Sequence, residues 1–374
     1  MTEFLRNCWY AAAWSHELGD EPMARTFLNE PVVLYRTEDG TPVALEDRCC
    51  HRSLPLSLGR VVGDNLQCGY HGLTFASDGA CIEVPGQSLV PPGARVRHYP
   101  MVEKNQWIWI WMGDPMLADP ALLPDWWWMD HPEWAVVKGD PPFFIKCDYR
   151  LVIDNLLDLL HVAFVHKGSL GTDAVADFPI TVERGEDTVR MTRWVLNSPP
   201  APLYKRFGGF TGNVDRWQIS EVQVPTYNDV FVGSAVTGTG APEGDRRQGV
   251  EMHNLNTVTP ETSTTTHYFY AHARKFSIDD PEIDQIFARD FRAVFQEDVD
   301  ILGAQQANLD RHPGAEFVDI NTDGPGLSLR RMIAERVAAE ALIVDVQGSD
   351  LVFCPLSYVA FQNFKFNSFE PVPL

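Results

Sequence analysis

Two short cysteine–histidine pairs near the N-terminus limit what this chain can fold into. Cys49 and His51 form a C-x-H pair, and Cys68 and His71 form a C-x-x-H pair after a gap of 16 residues. Four ligand-type side chains at two tight spacings predict a metal site that joins two loops. Two thiolates and two imidazoles suit a tetrahedral zinc ion, but also a two-iron cluster in which two histidines replace two cysteines on one iron. Ligand type alone does not decide between the zinc ion and the two-iron cluster.

The other cysteines are not expected to bind metal. Seven cysteines in 374 residues are too few for a disulfide scaffold. Cys50 is adjacent to His51, and joint chelation by neighbouring residues is sterically awkward, so Cys49 is the better ligand. Five cysteines are therefore predicted to pack as small apolar residues: Cys8, Cys50, Cys81, Cys147 and Cys354.

Charge and hydropathy exclude several classes of protein. The 30 basic and 51 acidic residues give a formal charge of −21, which repels nucleic-acid phosphates and anionic lipids. Apolar stretches such as 106–112 are far shorter than the ~20 residues of a membrane-spanning helix. The first residues carry no export signal. We expect a cytoplasmic protein that binds neither nucleic acid nor membrane.

The chain divides into two predicted domains. Residues 1–118 contain short strand-like runs separated by Asp-Gly and Gly-Asp turns, which predicts an all-β domain. A passage rich in Pro and Trp, from 112 to 134, fits neither helix nor strand and is the predicted linker. Residues 119–374 form the second domain. With helices beside strand-like alternation over 180–275, it is predicted to be α+β.

Two predicted helices carry the polar residues of interest. The first covers residues 149–166, and the second runs from Pro281 to about Leu309 with acidic residues near its start. Asn155, Asp158 and His161 follow one another at intervals of three on the first helix, so they share a slowly rotating face. His166 comes five positions after His161, roughly 140° around the helix. The helix must therefore bulge or end between them, with Gly168 as a candidate end.

Two histidines and one carboxylate form the facial triad that binds Fe(II) and leaves coordination positions open. His161 and His166 are the candidate histidines. The second helix offers four carboxylates as the third ligand: Asp290, Glu297, Asp298 and Asp300. Spacing alone does not choose among them.

The two motifs in this order resemble the Rieske oxygenase family. Further segments, NCWYAAAW, IWIWMGDP and FQEDVDIL among them, are similar to the oxygenase subunits of vanillate O-demethylase and toluenesulfonate methyl-monooxygenase, over roughly residues 3 to 340. This resemblance favours the two-iron cluster over zinc. Two features depart from it: most relatives have proline where this chain has Cys50, and the last ~30 residues match no known pattern.

The resemblance implies an α+β protein with an N-terminal all-β Rieske domain and a C-terminal catalytic domain of helices and antiparallel sheet. It implies four 2Fe-2S ligands, Cys49, His51, Cys68 and His71. It implies three ligands of a mononuclear Fe(II), His161, His166 and Asp298. In the family, the aspartate matching Asp158 bridges a cluster histidine of one subunit to an iron histidine of the next in a homotrimer.

The implied function is that of the terminal oxygenase of a multicomponent monooxygenase in aromatic compound catabolism. Electrons from NAD(P)H would arrive through a flavin and 2Fe-2S reductase, and O2 would hydroxylate a methyl or methoxy substituent of an aromatic acid. Vanillate-type O-demethylation is favoured, with aromatic methyl hydroxylation or ring hydroxylation as alternatives. The sequence does not fix the substrate; Gln223, His253 and Asn256 are candidate pocket residues.

Two functions of other classes stay open at this point. A Rieske electron-transfer protein without oxygenase iron would contain about two irons per chain instead of about three. A zinc-stabilised binding module would be colourless, whereas an iron-sulfur protein is red-brown. Iron content and colour therefore separate the three hypotheses.

Overall fold

The computed structural model describes residues 4–166 and 178–348, with side chains described as far as residue 342. Gly168, Cys354 and all but the first few of the C-terminal ~30 residues considered above lie outside this part of the chain. Within it, no helix is both long and apolar enough to cross a membrane.

The first domain is built from short antiparallel strands. They are β1 (Trp9–Trp14), β2 (Met23–Phe27), β3 (Glu30–Arg36), β4 (Pro42–Glu46), β5 (Arg60–Val62), β6 (Asn65–Gln67), β7 (Thr74–Phe75), β8 (Cys81–Glu83), β9 (His98–Tyr99), β10 (Met101–Lys104) and β11 (Trp107–Trp111). They form three sheets, ordered β1-β11-β10, β2-β3-β4-β9 and β5-β6-β7-β8. The all-β prediction for this half is confirmed.

The tryptophans of β1 and β11 join the two domains. In β11 every residue is buried, and Trp107, Trp109 and Trp111 share one face because side chains alternate along a strand. They pack in one apolar cluster with Leu255 and Phe269, which belong to the second domain. Burial of this much aromatic surface stabilises a fixed contact between the domains.

The passage between the domains forms three 3-10 turns, over Pro115–Leu117, Pro120–Leu122 and Trp127–Asp130. The first two begin at proline, which is favoured at a helix start. Asp114 and Asp119 accept hydrogen bonds from the exposed N–H groups of Met116 and Ala121. The prediction of an irregular connection is thus confirmed.

The second domain is a large antiparallel sheet covered by helices. Its strands are β12 (Ala135–Lys138), β13 (Phe143–Ile145), β14 (Thr181–Arg184), β15 (Thr188–Ser198), β16 (Val214–Gln223), β17 (Tyr227–Val236), β18 (Gly249–Thr262) and β19 (Thr265–Arg274). The sheet order is β12-β19-β18-β17-β16-β15-β14, and β13 also pairs with β19. Its helices are α1 (Tyr149–Leu156), α2 (Pro202–Gly208), α3 (Pro281–Arg311) and α4 (Gly324–Gly348).

Helix α3 matches the predicted second helix. Asp280 caps it by accepting a hydrogen bond from the Glu282 N–H at 3.0 Å, so the helix begins where the acidic residues predict. Phe287, Phe291 and Asp298 lie on its buried face, which packs on the sheet.

Helix α1 is much shorter than predicted, because it ends at Leu156. The chain then turns, and a single 3-10 turn covers His161–Ala163. Asp158 explains the early end: its Oδ1 accepts from the Leu160 N–H at 2.7 Å, a local bond that competes with helix continuation. Asn155, Asp158 and His161 therefore do not share a helical face, and that prediction is wrong.

Candidate metal centres and the cavity beside them

The two cysteine–histidine pairs lie on adjacent loops of the first domain. The Cys49 N–H donates to the Leu54 carbonyl at 2.9 Å, and the Cys68 N–H donates to the Leu73 carbonyl at 2.8 Å. Each loop is therefore a tight turn with its cysteine at the base. The two thiols are buried, at 2% and 3% exposure.

The histidines of the same loops are exposed, and their rings lie 4.6 Å apart between centroids. Two buried sulfurs beneath two exposed imidazoles fit the donor set of a Rieske cluster, whose histidine-bound iron would lie nearer solvent. Burial, with a smaller contribution from the neighbouring Cys68, raises the pKa of Cys49 to about 11. A bound metal would supply the positive charge that keeps both sulfurs as thiolates. These residues fit the cluster.

Glycines allow the two loops to touch through their backbones. A Cβ on Gly59 would lie 2.1 Å from the Gln67 carbonyl oxygen, and one on Gly69 would lie 2.7 Å from the Leu58 carbonyl oxygen. Both distances are shorter than any real contact. Larger residues here would separate the loops and displace the four candidate ligands.

The candidate iron ligands come from three points in the chain. The potential ligand atoms of His161, His166 and Asp298 all lie within 4.8 Å of one another. The Nε2 atoms of the two histidines lie 3.6 Å and 3.2 Å from the Asp298 carboxylate. Of the four carboxylates considered on α3, only Asp298 is buried. Two imidazoles and one carboxylate at this spacing fit Fe(II).

Each of these three side chains is oriented by a neighbour. The His161 Nδ1–H donates to the backbone carbonyl of Asp158. The His166 Nδ1–H donates to Glu297 Oε2 at 2.7 Å, and Asn155 Nδ2 donates to Asp298 Oδ1 at 3.1 Å. With both Nδ1 atoms protonated, the Nε2 lone pairs are the potential metal ligands.

The pKa shifts of the histidines reflect the same contacts. Burial lowers the pKa of His161, although Asp298 opposes this shift. Burial also acts to lower the pKa of His166, but its hydrogen bonds to Asp298 and Glu297 more than compensate and raise it. A cation is therefore favoured between these imidazoles and Asp298, whether a proton or a metal.

A cavity opens beside this triad. Its apolar wall includes Phe291 and Phe295 of α3 and Val230 and Met252 of the sheet. Its polar lining residues, besides the triad, are Asn155, Asp158, Tyr204, Arg216, Gln218, Asn254, Asn256 and Tyr268. An apolar pocket with a few convergent polar groups beside a metal site is a typical substrate site.

Comparison with known proteins identifies the family. The Rieske [2Fe-2S] domain model matches residues 8–100, and the vanillate O-demethylase oxygenase C-terminal domain model matches residues 145–339. The chain belongs to the Rieske non-haem iron oxygenases. It therefore carries a Rieske 2Fe-2S cluster and a mononuclear non-haem iron, and it is an oxidoreductase.

Three relatives show how far the similarity of this oxygenase extends. The iron-sulfur subunit of the toluene-4-sulfonate monooxygenase system of Comamonas testosteroni is 43% identical over 89% of this chain and 97% of that protein. The vanillate O-demethylase oxygenase subunit of Pseudomonas sp. strain HR199 is 37% identical over 91% and 97%. The solved dicamba monooxygenase with bound 3,6-dichlorosalicylic acid superposes with a TM-score of 0.84 at 34% identity, over 90% of this chain and 99% of that one.

These relatives are oxygenase components of multicomponent systems, so this oxygenase is a terminal oxygenase that needs a reductase partner. The predicted fold class is confirmed as well: a β Rieske domain precedes a domain of helices and antiparallel sheet. The electron-transfer and zinc-module hypotheses are excluded by the same matches.

Among the candidate pocket residues of the oxygenase, only Asn256 lines the cavity. His253 is on the other face of β18, where it hydrogen-bonds Asp229 at 2.9 Å and stacks on Trp128. Gln223 donates to Asp187 at 3.1 Å, away from the triad. Both are satisfied structural polar groups.

Sequence reasoning missed three functional features. The sequence indicates Glu297 only as a candidate ligand and gives no sign of its contact with His166 Nδ1. Arg216 lines the cavity although only 4% of it is exposed; a cation inside a buried strand was the available signal. The paired Asn254 and His272 gave no signal in the sequence.

Proposed function

We propose that this oxygenase hydroxylates a methyl or methoxy substituent of an aromatic acid, with O-demethylation favoured. The observation that carries the proposal is a buried arginine, Arg216, in the same cavity as the triad and two phenylalanines. The phenylalanines suit an aromatic ring, and the guanidinium suits a carboxylate or sulfonate.

A second buried arginine increases the positive charge beside the cavity. Arg193 of β15 is 3% exposed, and its Nη1 donates to the Leu159 carbonyl at 3.2 Å. Burial lowers the pKa of Arg193, and the nearby Arg216 lowers it further, so the two guanidiniums repel each other. An anionic substrate would relieve this repulsion. Toluene-4-sulfonate and vanillate, named in two relatives, are both aromatic anions.

The cofactors would be held by the residues described above. We propose Cys49, His51, Cys68 and His71 as the cluster ligands. We propose His161, His166 and Asp298 as the iron ligands. The cluster and iron supply one-electron transfer and O2 activation when bound. The cavity residues bind the substrate, orient its substituent toward the triad and exclude water.

We further propose that Asp158 connects the two metal centres across a subunit interface of a homotrimer. Asp158 lines both the substrate cavity and a second groove, which also contacts His161. Phe317 and Val318 line this groove and are 69% and 90% exposed. The exposed His51 and His71 of a second copy are the partners that fit, because a carboxylate can accept a hydrogen bond from each imidazole. Asp158 is therefore the proposed catalytic residue for electron transfer.

The reductase partner is proposed to contain flavin and a plant-type 2Fe-2S centre, since electrons from NAD(P)H must be delivered one at a time. None of the six cysteines in the described part of the chain forms a disulfide, which is typical of a reducing compartment. We propose that the protein works in the cytoplasm.

We place the domain boundary at residue 118, within the irregular connection, so that the catalytic domain covers 119–374.

The proposal is tested by turnover with a panel of methoxybenzoates and methylarenesulfonates. For each methoxybenzoate, one NADH and one O2 are consumed, and the hydroxylated methoxy group breaks down to a phenol and one formaldehyde. The matched methyl esters and amides are neutral controls that should react poorly. Equal turnover of neutral and anionic compounds, or no product from any acid, would overturn the proposal.

Arg216→Leu should raise the KM for acids and leave that for neutral analogues unchanged. A hydrogen bond to a charged group contributes about 1.5–3 kcal/mol, so the KM increase should be about 10- to 100-fold. Arg190→Leu is the matched control, because Arg190 is half-exposed on the neighbouring strand and pairs with Glu221.

Aromatic methyl hydroxylation is the second candidate. It is favoured by the higher identity to the toluene-4-sulfonate monooxygenase subunit, 43% against 37% for the vanillate enzyme. The same panel separates the two reactions, because a methylarenesulfonate yields a benzylic alcohol and no formaldehyde.

A further inference from the structure

A hydrogen-bonded pair lies in the cavity wall formed by the sheet. Asn254 of β18 and His272 of β19 are directly opposite each other in the antiparallel register. The His272 Nδ1–H donates to Asn254 Oδ1 at 2.6 Å. His272 is 1% exposed, and its ring packs on Phe291 with 4.0 Å between centroids. Asn254 is half-buried and lines the cavity.

The protonation state of His272 follows from these surroundings. Burial lowers its pKa to about 3, so the ring is neutral and carries one proton. Among the described residues, His272 Nε2 has no hydrogen-bond partner. A buried N–H without a partner is costlier than a bare lone pair, so the proton belongs on Nδ1, where Asn254 Oδ1 accepts it.

This tautomer fixes the orientation of the Asn254 amide. With Oδ1 bound to His272, Nδ2 is directed away from the ring and toward the cavity. Within the described residues the Asn254 side chain makes one hydrogen bond, through Oδ1 to His272, and Nδ2 makes none. Asn254 thus offers two N–H donors and no acceptor to a ligand.

The distance between Phe291 and Asp298 along α3 indicates which end of a substrate the Asn254 N–H donors would contact. Phe291, Phe295 and Asp298 occupy one face of the helix and all line the cavity. Seven residues separate Phe291 from Asp298, which corresponds to roughly 10 Å along the helix axis. His272 packs on Phe291, so the pair lies toward the Phe291 end of the cavity, away from Asp298. A substituted aromatic acid is long enough to connect the two ends.

We propose that Asn254, oriented by His272, is a specificity-determining residue that donates hydrogen bonds to the acid group of the substrate. The aromatic ring then lies beside Phe295, with its methyl or methoxy substituent toward the triad. Asn254 binds the substrate, whereas His272 is a positioning residue that never touches it. This inference rests on the proposed function, because it assumes an aromatic acid as substrate.

Asn254→Leu tests the binding role, since leucine has a similar shape and no donor. The KM for the best acid of the panel should rise about 10- to 100-fold, as expected for the loss of hydrogen bonds to a charged group. The KM for its neutral methyl ester should change less than about threefold. Rieske absorption and iron content serve as folding controls and should match the wild type, while the melting temperature should fall because the buried His272 Nδ1–H loses its acceptor.

Two variants test the positioning role of His272. His272→Phe keeps the aromatic packing but removes the donor, so the KM for the acid should rise several-fold with kcat nearly unchanged. His272→Asn places an amide N–H near the position of Nδ1 and should restore a KM close to that of the wild type. A purely structural role would instead affect both variants equally and would lower the melting temperature.

The outcomes separate this inference from the proposed function. If the wild type oxidises aromatic acids and Asn254→Leu keeps the same KM for them, the inference alone is overturned. The inference alone is also overturned if Asn254→Leu weakens the binding of the acid and of its methyl ester equally. If the wild type oxidises no aromatic acid, the proposed function and the inference both fail.

Discussion

Glu297→Gln should weaken iron binding without touching a proposed ligand. Glu297 Oε2 accepts the His166 Nδ1–H at 2.7 Å, and its side chain is 49% exposed. A charge-assisted hydrogen bond contributes about 1.5–3 kcal/mol when shielded, and solvent at this half-exposed site should reduce it to about 1–1.5 kcal/mol. Glutamine retains an acceptor but loses the charge that makes the imidazole a stronger ligand. We therefore expect about 5- to 15-fold weaker Fe(II) binding.

The assay is anaerobic Fe(II) titration against a chelator, with Rieske absorption as an internal measure of folded protein. Asp290→Asn is the matched control: it removes one charge from the same helix, where Asp290 pairs with Arg289 at 2.8 Å. Glu297→Gln should bind Fe(II) about 5- to 15-fold more weakly than Asp290→Asn. Equal affinities within twofold would refute the argument that Glu297 acts through His166.

Three further changes test other parts of the protein. Asp158→Asn should keep about three irons per chain but reduce NADH-coupled turnover at least about 100-fold; full turnover would end the bridging proposal. His161→Ala should lower iron content from about three to about two per chain while Rieske absorption persists, and unchanged iron would contradict its role as ligand. Trp107→Ala, at a site with 0% exposure, should reduce the free energy of unfolding by about 3–5 kcal/mol, measured by urea denaturation; a loss below about 1 kcal/mol would show that this cluster does not join the domains.

The sequence predicts the elements that are determined by interactions between residues close together in the chain. Helix α3 starts at its acidic cap, and the all-β half follows from alternation and Asp-Gly turns. The close spacing of His161 and His166 also brings them to one site, since few backbone paths are available over five residues. In each case the decisive interactions lie within a few residues of chain.

The features that depend on long-range contacts were not predictable. Among four carboxylates on α3, burial against the sheet selects Asp298, and burial is a property of the packed helix. The Asn254 and His272 pair exists only because β18 and β19 adopt one register, and a shift by one residue would place the two side chains on opposite faces of the sheet. The apolar residues of helix α4 do not keep to one face over its full length, so the sequence pattern does not predict this helix.

The end of α1 at Leu156 gives Asp158 two separable roles. In a continuing helix its carbonyl would accept a backbone N–H four residues on; here it is free to accept from His161 Nδ1 instead. Its carboxylate holds the turn through the Leu160 N–H and lines the groove proposed for a second subunit. Asparagine keeps both the carbonyl and a side-chain acceptor, so Asp158→Asn should retain the turn and the iron while losing only the charge. Loss of iron in that variant would mean that the charge itself maintains the triad, and that electron transfer and iron binding cannot be assigned to different groups of this residue.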